Sequence, residues 1–245
     1  MSNRQNFAEE GRQPLFNLPP VIVMSLAVLV GIHLGRVLLL SSEADFDLVL
    51  RFAFIPLRVL EPEELGTVVP GGPGAALWGF VTYAFLHADW THVIFNGLWL
   101  AAFGAPLAWR FGTSRFLLFS LVGAVAGAVF HLVVNLHDIQ PMIGASAAIS
   151  AQMAGASRFV FSAGGPLAGL HGPGAFSLPA APLSVIMRDR NVLMFLGIWF
   201  GLNILFGVVG MGAAFGAQSI AWEAHIGGFV AGLLTFSFFD PVDRN

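Results

Sequence analysis

Residues 221–232 read AWEAHIGGFVAG and open one of the apolar segments of this chain. Ala221 stands four residues before His225, and Gly228 and Gly232 stand three and seven residues after it, so a helix places all four on one face. A histidine framed by small residues lies where a second backbone can approach closely. The stretch therefore predicts a tight helix crossing that contains an imidazole.

A second stretch, GASAAISAQMAGAS at residues 144–157, offers a matching surface. Ser146, Ser150, Ala154 and Ser157 follow one another at offsets 0, +4, +8 and +11, which places them on one narrow and nearly flat helical face. Pairing the two faces would bring Ser146 within hydrogen-bond reach of His225. Spacing alone leaves two interpretations open: a nucleophile with its base, or a packing seam in which Ser146 only bonds a backbone carbonyl.

The chemistry of the first interpretation needs both residue types. A serine hydroxyl is a poor nucleophile until a base takes its proton, and burial keeps a histidine neutral and able to do so. Ser146 follows Gly144 and Ala145 at a predicted helix start, where backbone N–H groups lack partners. Such donors can stabilise an oxyanion.

The composition indicates a membrane protein. Of 245 residues, 56% are hydrophobic and 10% are charged, and the mean hydropathy is +0.78. A soluble domain carries about 25% charged residues. The chain has no Cys, and its net charge of −3 gives no basic patch for a nucleic acid. Segments long and apolar enough to cross a bilayer are predicted at 20–40, 91–110, 116–136, 143–161, 192–211 and 219–239.

The arginines predict an orientation for these six spans. If the N-terminus is cytoplasmic, eight arginines fall on the cytoplasmic side and three on the outer side. Both termini are then inside, and His92, Ser146 and His225 come from three inward-running spans at a similar depth near the outer face. We expect a cytoplasmic tail at 1–19, a six-helix membrane domain at 20–240 and a short cytoplasmic tail at 241–245.

Two long connections interrupt the spans. The outer loop 41–90 contains DFDLVLRFAFIPLRVL, which is amphipathic enough to lie in the membrane interface. The cytoplasmic connection 163–190 is rich in Gly and Pro and predicts a flexible linker that is dispensable for chemistry.

A third motif completes a resemblance. HADWTHVIFN, from His87 to Asn96, is similar to the His-x4-His-x3-Asn motif of rhomboid intramembrane proteases, GAS around Ser146 resembles their nucleophile motif, and AHIGGFVAG resembles their base motif. The three motifs stand in family order over a resemblance that covers roughly residues 20–240. It implies an all-α polytopic membrane protein with a six-transmembrane-helix bundle.

The resemblance also implies roles for individual residues. Ser146 is the expected nucleophile and His225 the expected base of a Ser–His dyad without a carboxylate, while His92 and Asn96 match the positions of the oxyanion hole. His87 matches a loop histidine with no assigned step. No cofactor or metal is implied. The expected substrates are single-span membrane proteins, cleaved toward the outer face of a bacterial inner membrane.

Two positions depart from the family pattern. Ala147 stands where the family has Gly after the nucleophile, and Ser150 stands where many relatives have a Tyr that packs against the base. We expect the Ala147 methyl to fit because Gly227 and Gly228 leave room on span six. The residues that orient His225 in place of that Tyr are not predicted.

Three other functions are weighed against the protease. A proteolytically inactive rhomboid-like protein that binds membrane clients is supported by Ala147 alone. A transporter or channel predicts internal repeats and charged or broken helices at mid-membrane, and no repeat is found. A zinc protease predicts HExxH, which is absent, and His87 and His92 are wrongly spaced for one helix face.

Overall fold

The computed structural model describes residues 18–161, 176–208 and 220–242. The N-terminal tail, the first part of the Gly/Pro-rich connection and parts of the fifth and sixth predicted spans lie outside these residues. Within them the chain is helical, apart from one isolated antiparallel bridge between Phe54 and Met142. The predicted all-α membrane fold is therefore confirmed.

Four helical stretches in the described part of the chain are long and apolar enough to cross a membrane. They are α1 (Pro20–Leu39), the stretch Trp90–Phe111, α8 (Thr113–Val134) and the stretch Arg190–Gly207. The stretch Trp90–Phe111 contains α6 (Trp90–Trp99), a π-helical turn at Leu100–Gly104 and α7 (Ala105–Phe111). The π turn precedes Pro106, which has no amide hydrogen to donate to the helix.

The fourth predicted span forms a shorter helix, α9 (Ser146–Ser157), of 12 residues. The sixth contains α12 (Trp222–Phe239), of 18 residues. Every residue of α9 from Ile149 to Ser157 is buried. The helix therefore packs inside the bundle, between α8 and α12, instead of facing lipid.

Small residues let these three helices approach closely. A Cβ on Gly123 or Gly127 of α8 would collide with the methyl group of Ala151 or Ala147 on α9, and a Cβ on Gly228 of α12 would collide with the backbone carbonyl of Ala147. Contact between helices in a bilayer depends on this kind of close packing, because the hydrophobic effect does not drive helices together in lipid.

The loop 41–90 is folded. It contains α2 (Ser42–Phe52), α3 (Pro56–Leu60), α4 (Pro62–Val68) and α5 (Ala75–Thr82), followed by a 3₁₀ turn at Tyr83–Phe85. Ser41 caps α2 by accepting a hydrogen bond from the amide of Ala44 at 3.2 Å. Phe54, Ile55 and Arg58 are buried, so the second half of the predicted interfacial stretch packs into the protein.

The part of 163–190 that the structure describes is bonded to the helical bundle. Buried Arg110 donates to the carbonyls of Phe176 and Leu178 at 2.9 and 2.7 Å, and Arg158 donates to the carbonyl of Ala181 at 2.8 Å. A short helix, α10 (Leu183–Ile186), then leads to α11 (Arg190–Asn203), whose start is capped by Asp189. The bundle thus holds this segment through two buried cations.

Candidate active site

Three helix starts meet at one end of the bundle. Ser146 is the first residue of α9, His225 lies in the first turn of α12, and His92 lies in the first turn of α6. The Nε2 atom of His225 is 2.7 Å from the Oγ of Ser146, although the two residues are 79 positions apart. Both are half-buried. The pairing of the two small-residue faces therefore brings the hydroxyl and the imidazole into direct hydrogen-bond contact.

The other ring nitrogen of His225 has a partner that sequence reasoning missed. Its Nδ1 lies 2.6 Å from the Oδ1 of Asn203, at the end of α11. The amide nitrogen of Asn203 donates to the carbonyl of Trp199 at 2.8 Å. An amide within an apolar segment is costly unless it is bonded, and this is the signal that could have found Asn203.

The segment before Ser146 is held in a conformation that requires glycine. Gly144 has a φ of +125°, and its amide donates to the carbonyl of Tyr83 at 2.9 Å. A Cβ here would lie 2.7 Å from the Nε2 of His92 and 3.7 Å from the Oγ of Ser146. His92 therefore packs against the backbone of Gly144, beside the nucleophile candidate, where there is no room for a side chain at position 144.

His92 and Asn96, the residues expected to support the oxyanion, have different hydrogen-bond partners. The amide of His92 donates to Asp89, the cap of α6, at 2.8 Å, and its Nε2 faces Gly144. Asn96 is buried and donates one amide hydrogen back to the carbonyl of His92 at 3.0 Å. His92 therefore lies at the site. Asn96 lies one helical turn after His92 and is bonded to the backbone.

His87 contacts the segment that precedes Ser146. It is fully buried, and its Nε2 faces the amide of Ala145 at 3.5 Å. Its carbonyl accepts a 2.7 Å hydrogen bond from Arg36, which is itself ion-paired with Asp45. Burial, with smaller contributions from nearby His92 and His33, lowers the pKa of His87 to about 3. His87 is therefore neutral near neutral pH.

Tyr83 is the only tyrosine in the chain and fastens this segment to α8. Its hydroxyl donates to the carbonyl of Ala124 at 2.8 Å, while its own carbonyl receives the amide of Gly144. Burial raises the pKa of Tyr83, so its hydroxyl stays a donor.

The two departures from the family pattern have structural explanations. The Ala147 methyl faces Gly127 of α8, and not Gly227 and Gly228 as we expected, because Gly228 lies over the Ala147 carbonyl. The hydroxyl of Ser150 donates to the carbonyl of Ser146 at 2.7 Å and is buried. Ser150 is therefore engaged with its own helix.

Glu223 does not bond to His225. Its carboxylate lies 3.5 Å from the Nδ1 of His131 on α8, and Asn135 also contacts this ring at 3.2 Å. Within the described ranges, no three His, Asp or Glu side chains are placed to ligate one metal ion.

The comparisons of this chain with a family model and with individual known proteins agree with one another. Residues 74–239 match the model of the Rhomboid domain. The chain is 29% identical over 168 residues to the rhomboid protease GlpG of Serratia proteamaculans (strain 568), which covers 69% of this chain and 50% of that protein. It is also 29% identical over 164 residues to the rhomboid protease GlpG of Yersinia pestis (strain Pestoides F), with 67% and 48% covered. The chain thus spans about half the length of these curated relatives.

The matched region contains α5 to α12, and hence every side chain of the site except Arg36 and Asp45. Three of the four apolar stretches of membrane-spanning length given above lie within the matched region, and α1 precedes it. This chain is an integral membrane protein and belongs to the rhomboid family.

Proposed function

We propose that this chain is an intramembrane serine endopeptidase that uses Ser146 as nucleophile and His225 as general base. The observation that carries the proposal is the 2.7 Å contact between the Ser146 hydroxyl and the His225 imidazole. That distance lies within the range needed for a base to take the proton during attack on a carbonyl. The relatives named above are proteases, which supports the same reaction class.

The oxyanion that forms during acyl transfer needs hydrogen-bond donors. The first amides of α9, from Ser146 onward, lack intrahelical partners, and no side chain caps this helix start. We propose that these amides and His92, which lie on either side of Gly144, face the oxyanion. Asn96 contributes its second amide hydrogen, because an amide nitrogen carries two donors and the His92 carbonyl uses one.

The substrates proposed for this site are single-span membrane proteins. A substrate helix has its backbone groups bonded internally, so it must unwind locally before its carbonyl can reach Ser146. The arginine bias favours cytoplasmic termini, with cleavage toward the outer side of a bacterial inner membrane. Residues such as Gly or Pro near the cleaved bond favour unwinding.

An inactive client-binding protein is the competing proposal. Its support from the sequence is the methyl group of Ala147. That methyl faces Gly127 and leaves the Ser146–His225 contact at hydrogen-bond length. The observation favours the enzyme.

The test compares the purified native chain with Ser146→Ala and with Ser157→Ala as a matched control. Ser157 is a buried serine on the same helix, and its hydroxyl bonds the carbonyl of Ala154. We expect the native chain and Ser157→Ala to cleave a single-span substrate and to react with a fluorophosphonate. Ser146→Ala should do neither, at an unchanged unfolding temperature. Labelling that survives Ser146→Ala would refute the assignment of the nucleophile.

A further inference from the structure

Asn203 is held at both ends of its side chain. Its Nδ2 donates to the carbonyl of Trp199 at 2.8 Å, and its Oδ1 lies 2.6 Å from the Nδ1 of His225. Only 7% of the residue is exposed. Because the nitrogen is committed as a donor, the oxygen is the atom that faces the imidazole, where it can only accept.

This arrangement determines which nitrogen of His225 carries the proton. A neutral imidazole has one N–H donor and one acceptor nitrogen. With Asn203 accepting, the proton is on Nδ1, and Nε2 is left with a lone pair directed at the Ser146 hydroxyl. This is the tautomer that a general base needs. The opposite tautomer would direct an N–H at Ser146 and a lone pair at the Asn203 oxygen.

A second contact fixes the register of the two helices that carry these residues. Trp199 stands one turn before Asn203 on α11, and Phe229 stands one turn after His225 on α12. The rings of Trp199 and Phe229 are stacked with centroids 5.1 Å apart. The same turn of α11 thus supplies both the aromatic contact and the hydrogen bond. The stacking of Trp199 on Phe229 holds the hydrogen bond between Asn203 and His225 in place.

We propose that Asn203 is a positioning residue that completes a Ser146–His225–Asn203 relay. The inference rests on the protease activity proposed above and extends it. Asn203 does not touch the substrate; it acts by orienting the ring of His225 and selecting its tautomer. A neutral amide does this without the cost of burying a carboxylate.

Other polar groups face His225 from the helices packed against it. His92 approaches from α6, and Ser146 approaches from α9. Glu223 lies on α12 itself but is engaged with His131 of α8. Among the described residues, Asn203 is the partner within hydrogen-bond distance of Nδ1.

The experiment measures cleavage of a single-span substrate and the rate of fluorophosphonate labelling across pH. It uses the full native chain, Asn203→Leu, Asn203→Asp and the control Leu202→Ala, whose side chain is 46% exposed. Leu fills a similar volume but cannot accept a hydrogen bond. We expect Asn203→Leu to lower kcat and the labelling rate by about 10²-fold, as expected for a misplaced catalytic group, with little change in KM.

Asn203→Asp keeps the acceptor that faces His225, loses the donor to the carbonyl of Trp199 and adds a negative charge beside the ring. Cleavage should be retained to within about tenfold, and the acid limb of the pH profile should move to higher pH, because the carboxylate favours the imidazolium. A group that only filled space would not shift this limb. Leu202→Ala should match the native chain in rate and pH profile.

Two outcomes would overturn the inference. One is an Asn203→Leu variant with native kcat; the other is an Asn203→Asp variant with an unshifted acid limb. Should Asn203→Leu fail to fold, the pH profile of Asn203→Asp still decides. A native chain that neither cleaves nor reacts with the fluorophosphonate would instead remove the proposed protease activity.

Discussion

Gly228→Ala tests whether the spacing of α9 and α12 determines the contact between Ser146 and His225. A Cβ at this position would lie 2.8 Å from the carbonyl carbon and 3.1 Å from the Cα of Ala147. Carbon atoms in ordinary contact are about 3.5 Å or more apart. The clashing atoms belong to the backbone, so no side chain can rotate away. The helices must separate by at least roughly 0.7 Å, because the carbonyl oxygen of Ala147 lies closer still.

That separation acts directly on the site, because Ala147 follows Ser146 and Gly228 lies one turn after His225. The present 2.7 Å contact would lengthen to about 3.4 Å or more, at or beyond the edge of hydrogen-bond range. A displacement of about 1 Å can cost about 10²-fold in rate. We therefore expect Gly228→Ala to lose cleavage by one to two orders of magnitude, although it alters neither Ser146 nor His225.

The assay is cleavage of a single-span substrate together with fluorophosphonate labelling and thermal unfolding in detergent. Gly31→Ala in α1 is the matched control, since a Cβ there meets nothing within 4 Å. Both variants gain about 1 kcal/mol of helix propensity, but Gly228→Ala also pays about 1–3 kcal/mol for overpacking. A folded Gly228→Ala protein that labels at the native rate would refute the reasoning.

Three further substitutions follow from the structure. Burial lowers the pKa of His87 to about 3, so below about pH 6.5 the unfolded chain binds a proton that the folded chain excludes. Stability should be full above that pH and fall by about 4 kcal/mol toward pH 3.5, and His87→Gln should remove this part of the loss in thermal unfolding across pH. Arg110→Ala leaves the buried carboxylate of Asp240 without its 2.8 Å partner and should cost about 3–5 kcal/mol, whereas Arg115→Ala, at an exposed position, should leave the unfolding temperature unchanged. Ala147→Gly should change the cleavage rate by less than about tenfold, and a larger gain in that assay would favour the inactive client-binding alternative.

The meeting of Ser146 and His225 could be predicted because it depends on local regularities. Small residues at helical spacing mark the faces that approach, and the arginine count places the helix starts together. The structure has both features in the packing of α9 against α12. The first feature depends on residues close in sequence on one helix, and the second depends only on a count of arginines between the spans.

Other features depend on contacts between distant segments and carry no local pattern. Asn203 meets His225 only because α11 is rotated to stack Trp199 on Phe229. Arg36 stands beside His33 near a helix end, where snorkelling to water is the simple expectation. The structure instead buries Arg36 and pairs it with Asp45. Composition alone could not show that the Gly/Pro-rich connection supplies carbonyls to Arg110.

Ala147 shows why a departure from the family pattern can leave the site intact. The methyl group of Ala147 occupies the space beside Gly127. That space is also required by a contact between α8 and α12. A Cβ on Gly127 would also stand 2.7 Å from the carbonyl oxygen of Ala224 on α12. Position 127 must therefore be glycine for the contact between α8 and α12, whatever follows the nucleophile.

Gly127→Ala alone cannot tell whether Gly127 is needed to admit the Ala147 methyl or to contact α12. The double variant with Ala147→Gly separates these two explanations. If Gly127 served only to admit the methyl, Ala147→Gly would rescue Gly127→Ala by vacating the shared space. Removing the Ala147 methyl removes one collision, but the collision with the Ala224 carbonyl remains, so we expect the double variant to recover only in part, in both cleavage and thermal unfolding. Full recovery in the double variant would show instead that the Ala147 methyl is the dominant constraint on the packing of α8.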